Sequence, residues 1–272
     1  MGFDVSHPEI QDAVRKALAE DIGSGDVTTN LCVPADALAT GRLIARESLT
    51  LAGVELLPLI FTDSIVAITH RSGDRLEDGG EIAVVRGPAR ALLTGERTAL
   101  NFVQRLSGIA TLAAAYVRAV EGTSCRILDT RKTTPGLRRL EKMAAAGGAV
   151  NHRMGLFDAV LIKNNHITAA GGVRATLDRT RNAGVPVEIE VRTREELDEA
   201  LACGAAHLLL DNLSPAEAKD WIAHINGRAT VELSGGITLE TARAYAETGA
   251  DFLSSGAITH SARAVDINFR VA

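Results

Sequence analysis

The sequence predicts an α/β protein whose second half forms an open (β/α) barrel and whose first part mixes helices and strands without regular alternation. From about residue 125, six short apolar runs each end in a charged or glycine-rich cluster, and helical patterns lie between them. A complete barrel needs eight strands, so six strands predict an incomplete one. The runs and their endings are Ile127-Leu128 before Asp129–Lys132, Ala159–Ile162 before Lys163–His166, Val187–Ile189 before Glu190–Arg192, Leu208–Leu210 before Asp211-Asn212, Val231–Leu233 before Ser234–Gly236, and Phe252-Leu253 before Ser254–Gly256.

The amino-terminal part opens with a helix that starts at Ser6-His7-Pro8-Glu9. Ser6 is the expected cap, Pro8 suits the first helical turn, and Gly23 and Gly25 are expected to end the helix. The pattern beyond it predicts strands over 38–51, 65–69 and 82–86, a short helix over 53–61, and a helix over 90–120 that breaks near Gly108.

Helical periodicity in the second half predicts helices over 136–146, 173–183, 194–203, 215–226 and 239–248. Thr193–Glu196 and Ser214–Glu217 both fit the capping box, which indicates two of the helix starts. Residues 265–272 alternate between apolar and polar, and we expect them to return to the first domain.

Composition excludes some classes of function. The 29 Lys and Arg against 34 Asp and Glu leave a net charge of −5, which argues against a nucleic-acid partner. Three scattered cysteines without a Cys-x-x-Cys pair are typical of reduced thiols in the cytosol. Residues 1–4 lack the pattern of a signal peptide, and no apolar run approaches the ~20 residues of a membrane span. We therefore expect a cytoplasmic protein with no membrane partner.

Two glycine turns follow the last two strands of the predicted barrel. Ser234-Gly235-Gly236 and Ser255-Gly256 each lie between a strand and a helix. Backbone amides in such turns, together with the helix amino terminus, favour a phosphate, and barrel phosphate sites are usually built from the last strands. A tight βα turn alone would also explain the glycines, but two on consecutive strands favour phosphate binding.

Cations follow two of the earlier strands. Arg131-Lys132 and His152-Arg153 form basic clusters, and Lys163 closes an apolar strand. An isolated loop arginine or lysine is usually a solvated charge. Lys163 is expected to point into partly buried space, where an ammonium needs an anionic partner or a catalytic role. Arg97, within a helix, is structural as judged from its surroundings alone.

Glu190 and Asp211 end adjacent strands of the barrel. Carboxylates at this position can hold a magnesium-bearing phosphate ligand, bind ribose hydroxyls or act as general bases. Ion pairing with the nearby cations explains one of them well and both less well. His7, His70 and His224 lie outside this edge, and no zinc spacing, nucleophile elbow or Walker A motif occurs.

A set of motifs along nearly the whole chain resembles the quinolinate phosphoribosyltransferase family, also called nicotinate-nucleotide pyrophosphorylases. The motifs are Ala19–Thr29, Gly95–Asn101, Asp129–Arg138, Gly147–Arg153, Ala159–His166, Glu188–Val191, Leu210–Asn212 and the Ser234–Gly236 turn. The resemblance implies an α/β-sandwich domain over 1–108, joined by 265–272, and an open α/β barrel over 109–264. It implies phosphoribosyl transfer from phosphoribosyl pyrophosphate (PRPP) to quinolinate, with loss of carbon dioxide, in NAD biosynthesis.

The resemblance also implies roles for individual residues and an assembly. The chain would form a homodimer, or a multiple of dimers, in which Arg97 reaches the neighbouring subunit's barrel. Arg131, His152, Arg153 and Lys163 would hold the two quinolinate carboxylates. Lys132, Glu190, Asp211, Ser234, Gly235, Gly236, Ser255, Gly256 and His260 would serve PRPP. Mg²⁺ would accompany PRPP at Glu190 and Asp211, directly or through substrate or water, and no organic cofactor is expected.

Other interpretations stay open at this point. A lysine ending a barrel strand is the usual nucleophile of a Schiff-base aldolase, with Lys163 in that role. A paralogue of the same fold linked to molybdate transport and a non-enzymatic sensor of phosphorylated ligands are further alternatives. In the transferase, Lys163, Lys132, Glu190 and Asp211 would be catalytic, and either Lys163 or water would protonate the ring carbon after decarboxylation.

Overall fold

The computed structural model describes residues 4–272. Residues 1–3, where no targeting signal is expected, lie outside the described residues. The chain divides into two compact units. The first contains the chain up to Ala114, Thr133–Gly148 and Ile258–Ala272, and the second contains Ala115–Lys132 and Ala149–Ala257. The domain boundaries expected at 108/109 and 264/265 stay a prediction.

The helices and strands are numbered in chain order. They are α1 (Pro8–Ile22), α2 (Val27–Cys32), β1 (Leu38–Ala45), β2 (Leu49–Thr50), a 3₁₀ turn (Val54–Leu56), α3 (Leu57–Ile60), β3 (Ile65–Ile68), β4 (Arg75–Leu76), β5 (Glu81–Pro88), α4 (Ala89–Ala119), β6 (Arg126–Leu128), α5 (Arg138–Ala145), β7 (Val160–Ile162), α6 (Asn164–Ala170), α7 (Val173–Thr180), β8 (Val187–Val191), α8 (Arg194–Ala202), β9 (His207–Asp211), α9 (Pro215–Ile225), β10 (Thr230–Ser234), α10 (Leu239–Ala246), β11 (Phe252–Ser254), α11 (Ala257–His260) and β12 (Ile267–Val271).

The first unit is built on an antiparallel sheet in the order β12-β1-β5-β3. The predicted return of the last residues is confirmed, because β12 pairs with β1 from Gly41 opposite Val271 to Ala45 opposite Ile267. The strand expected over 38–51 is interrupted: β1 ends at Ala45, and the short β2 pairs with β4 instead.

The start of α1 differs from the prediction. His7, not Ser6, is the cap, and its Nδ1 accepts a hydrogen bond from the Glu9 N–H at 3.2 Å. Ser6 instead donates from its hydroxyl to Asp4 Oδ1 at 2.6 Å. Pro8 occupies the first turn and Gly23 ends the helix, as predicted, with a positive φ of 54°.

The predicted break near Gly108 is wrong, because α4 runs without interruption through it. A Cβ at Gly108 would lie 1.9 Å from the carbonyl oxygen of Arg263. The glycine therefore permits close approach of the 263–265 backbone, where Val265 N–H bonds the Gln104 carbonyl at 3.2 Å. The glycine at this position lets another segment pack closely against α4, and it does not bend the helix.

The second unit confirms the open barrel. Its six strands lie parallel in the order β6-β11-β10-β9-β8-β7, so β6 and β7 are the two edges of the sheet and do not pair with each other. The helices predicted after 173, 194, 215 and 239 are present, and α6 adds one that was not predicted. Among residues 4–272, none of the helices combines the length and the apolar character that crossing a bilayer requires.

The strands of this sheet have two unlike faces. Ile189 and Val191 of β8 and Leu208 and Leu210 of β9 are almost fully buried. The alternate positions carry Glu188 and Glu190, because side chains along a strand point to opposite faces. An apolar face and a polar face on the same parallel strands concentrate charge on one side of the sheet.

Candidate active site

The carboxyl ends of the parallel strands carry a row of polar side chains on one face. In the register of β8, β9 and β10, Glu190 is opposite Leu209, and Ser234 is opposite Asp211. Asp211 lies two residues beyond Leu209, so all three polar side chains point to the same face. The structure thus gathers three of the predicted site residues on one edge of the second unit.

Glu190 is the buried centre of an ion-pair network. The residue is only 4% exposed, and its carboxylate lies 3.5 Å from Lys163 Nζ and 3.0 Å from Arg192 Nη2. Lys163 has the anionic partner that was expected. The expectation that it enters partly buried space is wrong, because its side chain is 53% exposed at the open end of the sheet.

Asp211 is oriented by the residue that follows it. The side-chain amide of Asn212 donates to Asp211 Oδ2 at 2.5 Å, and the Asn212 N–H continues the strand ladder to the Ser234 carbonyl at 2.9 Å. The turn Ser234-Gly235-Gly236 then leads to α10, whose cap is Thr238. Both glycines have left-handed φ angles, 92° and 61°. The last residue of β9 and the predicted phosphate turn are therefore directly linked.

His152 lies between two carboxylates that the sequence analysis did not assign. Its Nε2 is 3.2 Å from Glu188 Oε2 and 3.3 Å from Glu232 Oε2, and its Nδ1 accepts the Arg153 N–H at 2.8 Å. Burial lowers the pKa of His152, but hydrogen bonds to Glu188 and Glu232 outweigh it and raise the pKa to about 9. The cationic ring is the form that compensates two carboxylates on this part-buried face. Protonation turns Nδ1 into a donor, so it also releases the Arg153 N–H.

Burial raises the pKa of Glu188, and the nearby Glu232 adds to this effect. Among the described residues, the donor atoms of His152, Glu188 and Glu232 lie within 4.8 Å of one another, a separation at which they could hold a metal ion. The hydrogen bonds of the ring already account for this grouping. The signal that could have identified Glu188 and Glu232 is a carboxylate within an otherwise apolar strand.

Asp129 fixes the loop that carries His152. Its carboxylate is fully buried and accepts hydrogen bonds from Asn151 Nδ2 at 2.6 Å and from the His152 N–H at 2.8 Å. Its own N–H donates to the Val150 carbonyl, which brings this loop beside β6. Hydrogen bonds to a fully buried side chain hold the loop in one place, because breaking them would leave a buried polar group unsatisfied. Asp129 therefore positions a basic loop without being part of the predicted binding set.

Arg131 and Arg153 are close enough to repel each other. Burial lowers the pKa of Arg153, and the Arg131 charge lowers it further, while Asp158 and Glu188 act in the opposite direction. Arg153 also donates from Nη1 to the Ala159 carbonyl at 3.2 Å. Two neighbouring guanidiniums favour a ligand that is itself multiply negative. Lys132, the next residue after Arg131, is exposed.

Ser255 is part of the interior. Its hydroxyl donates to the Ile237 carbonyl at 3.0 Å and lies 3.2 Å from the Tyr116 hydroxyl, while its N–H bonds the Leu128 carbonyl. These contacts fix the residue that precedes Gly256 in the turn. The role of Ser255 in binding phosphate stays a prediction.

Arg97 and His260 belong to the first unit. Arg97 is exposed on α4, and His260 ends α11 with its Nδ1 2.6 Å from the Ser261 hydroxyl. That unit also contains a cavity of about 650 Å³ between α1, α4 and residues 135–140. None of the predicted site residues lines this cavity.

Known proteins match nearly the whole length of the chain. The family model described as the N-terminal domain of quinolinate phosphoribosyl transferase matches residues 26–107, and that of its C-terminal domain matches 109–270. The nicotinate-nucleotide pyrophosphorylase [carboxylating] of Mycobacterium leprae is 43% identical, with 97% of this chain and 98% of the relative covered. A probable enzyme of the same name from Bacillus subtilis is 39% identical over 98% of this chain and 95% of its own length.

Solved structures agree with these relatives. The nicotinate-nucleotide pyrophosphorylase of Francisella tularensis superposes with a TM-score of 0.92 at 36% identity, covering 97% of this chain and 96% of that one. The protein of the same name from Ehrlichia chaffeensis gives a TM-score of 0.92 at 33% identity, covering 96% and 98%. The sequence resemblance is thereby confirmed: this chain belongs to the quinolinate phosphoribosyltransferase family.

Proposed function

We propose that this chain transfers the phosphoribosyl group of PRPP to quinolinate and releases pyrophosphate and carbon dioxide, with nicotinate mononucleotide as product. The observation that carries this proposal is the match of both family domains, together with relatives of that activity aligned over at least 95% of both chains. The grouping of cations and carboxylates at the carboxyl ends of β7–β9 supports it independently.

Quinolinate carries two carboxylates on a pyridine ring. Arg131, His152, Arg153 and Lys163 supply the positive charge that would hold them. The mutual repulsion of Arg131 and Arg153 would be relieved when a dianion binds between them, so ligand binding would stabilise both. Charge-assisted hydrogen bonds contribute about 1.5–3 kcal/mol each, and guanidinium forks match carboxylates in a bidentate manner. His152 would offer Nδ1–H to a substrate carboxylate once the ring is charged.

PRPP would bind across the β8–β10 strand ends and the glycine turns. The turn at Ser234, Gly235 and Gly236, with Gly256 and the supporting Ser255, would receive its phosphate groups. Lys132 would add positive charge, His260 would contribute a hydrogen bond to phosphate, and Glu190 and Asp211 would hold the ribose. A helix amino terminus after each turn favours the anion.

The carboxylate oxygens of Asp211 and Glu190 are donors that Mg²⁺ prefers. Both oxygens of Glu190 already receive Lys163 and Arg192, which makes Asp211 the better direct ligand. Glu190 would act through water or substrate. When bound, the ion would neutralise charge on the leaving pyrophosphate.

The chemistry needs charge stabilisation more than a protein nucleophile. As the bond from the ribose carbon to pyrophosphate breaks, positive charge develops on the ribose, and Glu190 and Asp211 would offset it. The pyridine nitrogen lone pair forms the new bond and becomes cationic. The bond to the 2-carboxylate then breaks, carbon dioxide leaves, and the electron pair stays on the ring carbon as a stabilised ylide. Lys163 or water supplies the proton that completes the product.

Arg97 would complete a neighbouring subunit's site in a homodimer or in a multiple of dimers. Its exposure on α4 is consistent with a role outside its own unit. A guanidinium from a second subunit would add to the charge that faces quinolinate.

The proposal is tested by incubating the protein with quinolinate, PRPP and Mg²⁺. Equal amounts of nicotinate mononucleotide and carbon dioxide are expected. A sensor would bind PRPP without releasing pyrophosphate, and a Schiff-base aldolase would be trapped on Lys163 by borohydride. Either result, in place of product, would contradict the transferase assignment.

A further inference from the structure

Asn212, which follows Asp211, has an unusual backbone. Its φ is 59°, and the other described non-glycine residue with a positive φ is Asn226. Asn226 ends α9, where a left-handed residue is a common way to terminate a helix. Asn212 has no such task, because α9 starts three residues later behind its own cap, Ser214. The left-handed conformation at Asn212 therefore needs another explanation.

The side chain of Asn212 supplies one. The left-handed backbone keeps the amide beside the preceding carboxylate, and Nδ2 donates to Asp211 Oδ2 at 2.5 Å. The backbone N–H is used separately, in the bond to Ser234 that extends the β9–β10 ladder. One residue thus fixes the direction of the Asp211 carboxylate and attaches it to the start of the glycine turn.

Gly235 provides the space for this arrangement. A Cβ there would lie 2.3 Å from Asn212 Oδ1 and 2.6 Å from Asn212 N, closer than real Cβ contacts allow. Gly236 differs, since a Cβ there would meet nothing within 4 Å. The first glycine of the turn is therefore required by contact with Asn212, and the second by its positive φ alone.

We propose that Asn212 is a positioning residue that holds the Asp211 carboxylate at a fixed direction and spacing from the Ser234–Gly236 turn, an inference that rests on the proposed function. Asp211 and this turn would hold two parts of the same substrate, the ribose and a phosphate group. Their separation must match that substrate, and the Asn212 side chain and backbone set it. Asn212 itself need not touch PRPP.

Three substitutions at Asn212 distinguish the effect of its side-chain amide from the effect of its left-handed backbone conformation. Asn212→Gly keeps the left-handed conformation and deletes the amide, whereas Asn212→Ala loses the amide and also disfavours the conformation. Asn212→Asp tolerates the conformation and keeps the shape, but it lacks the N–H donor. Asn226→Gly is the matched control, because it makes the same change at the left-handed asparagine that ends α9.

The measurements are steady-state kinetics with each substrate varied, the melting temperature, and calorimetric binding of quinolinate alone and of PRPP with Mg²⁺. Asn212→Gly should keep the native melting temperature and lose about 10- to 100-fold in kcat/KM for PRPP, as expected for residues that orient a ligand-binding group. Asn212→Asp should lose at least as much. Quinolinate binding should stay within twofold of the native value in both variants, and Asn226→Gly should retain native kinetics.

A purely structural role gives a different pattern. If Asn212→Gly restored the activity that Asn212→Ala lacks, the backbone alone would matter and the inference would be overturned. Native activity in Asn212→Asp would overturn it as well, because no N–H donor remains. If the native protein neither binds PRPP nor forms product, the proposed function fails and the inference fails with it. If the native protein is active, the proposed function stands, and the kinetics of the Asn212 variants alone decide whether Asn212 is a positioning residue.

Discussion

Replacing Gly108 with alanine tests whether the close approach of the 263–265 backbone to α4 requires a glycine at this position. A helix interior normally gains about 1 kcal/mol when glycine becomes alanine. At Gly108 the new Cβ would lie 1.9 Å from the Arg263 carbonyl oxygen, 3.0 Å from its carbon and 3.3 Å from Ala264 Cα. An ordinary carbon–oxygen contact is near 3.3 Å, so the two backbones must separate by roughly 1.4 Å.

That separation affects the bonds that attach the 263–267 segment to α4. Val265 N–H donates to the Gln104 carbonyl at 3.2 Å, and Gln104 Nε2 donates to the Ile267 carbonyl at 2.8 Å. Overpacking costs about 1–3 kcal/mol and each weakened hydrogen bond about 1 kcal/mol. After the gain of about 1 kcal/mol in helix propensity, the free energy of unfolding should fall by about 3 kcal/mol. At about 2–4 °C for each kcal/mol, the melting temperature should fall by about 6–12 °C.

Thermal unfolding followed by circular dichroism measures the change, with Gly95→Ala as the control in the same helix. At Gly95 a Cβ would lie 2.8 Å from the Phe61 side chain, which is buried and stacks on Phe269. Gly95→Ala should therefore also lose stability, but less than Gly108→Ala, because its closest contact is a longer one and is made to a side chain, not to backbone. A melting temperature that rises in Gly108→Ala would refute the reasoning, because it would mean that helix propensity outweighs the contact.

Three further predictions concern the candidate site. The pKa of His152 is raised from 6.5 to about 9, so the stability gained by protonating the ring should be fully present below pH 6.5 and disappear as the pH rises through about 9. Glu232→Gln should weaken the pH dependence of the free energy of unfolding, measured with urea. An unchanged pH dependence in this variant would contradict the assigned cause. Arg153→Ala should raise the KM for quinolinate about 10- to 100-fold with a smaller effect on kcat, since charge-assisted hydrogen bonds are lost, and native quinolinate kinetics would exclude Arg153 from that site. Inactive Arg97→Ala and Lys163→Ala proteins, once mixed, should recover part of the activity through hybrid dimers; no recovery despite proven subunit exchange would argue against a shared site.

The fold was largely predictable because its signals are local and repeated. Each of the six barrel strands is an apolar run with a polar ending, and the capping boxes before α8 and α9 mark true helix starts. The cap of α1, predicted at Ser6 and found at His7, is a local error, whereas the error at Gly108 concerns a contact between segments distant in sequence. Gly108 has the pattern of a helix break, and only the Arg263 carbonyl, more than 150 residues later, explains it.

The site was predictable in part, for a related reason. Glu190 and Asp211 end their strands, so position alone identifies them as candidates. Glu188 and Glu232 lie inside strands, and their role depends on His152, which reaches them from another loop. An anionic partner for Lys163 could be expected on general grounds. The exposure of the Lys163 side chain could not, because this residue follows β7, which lies at an edge of the sheet.

The pairing of β12 with β1 bears on how the protein is synthesised. Residues 267–271 form an edge strand of a sheet whose other members all come from the first 88 residues. This sheet cannot be completed until that late segment has emerged from the ribosome, whereas every strand of the parallel sheet has been made by residue 254. During translation the β1 side of the sheet therefore stays unpaired for most of the synthesis time, and nascent chains stalled before residue 267 should depend most on chaperones.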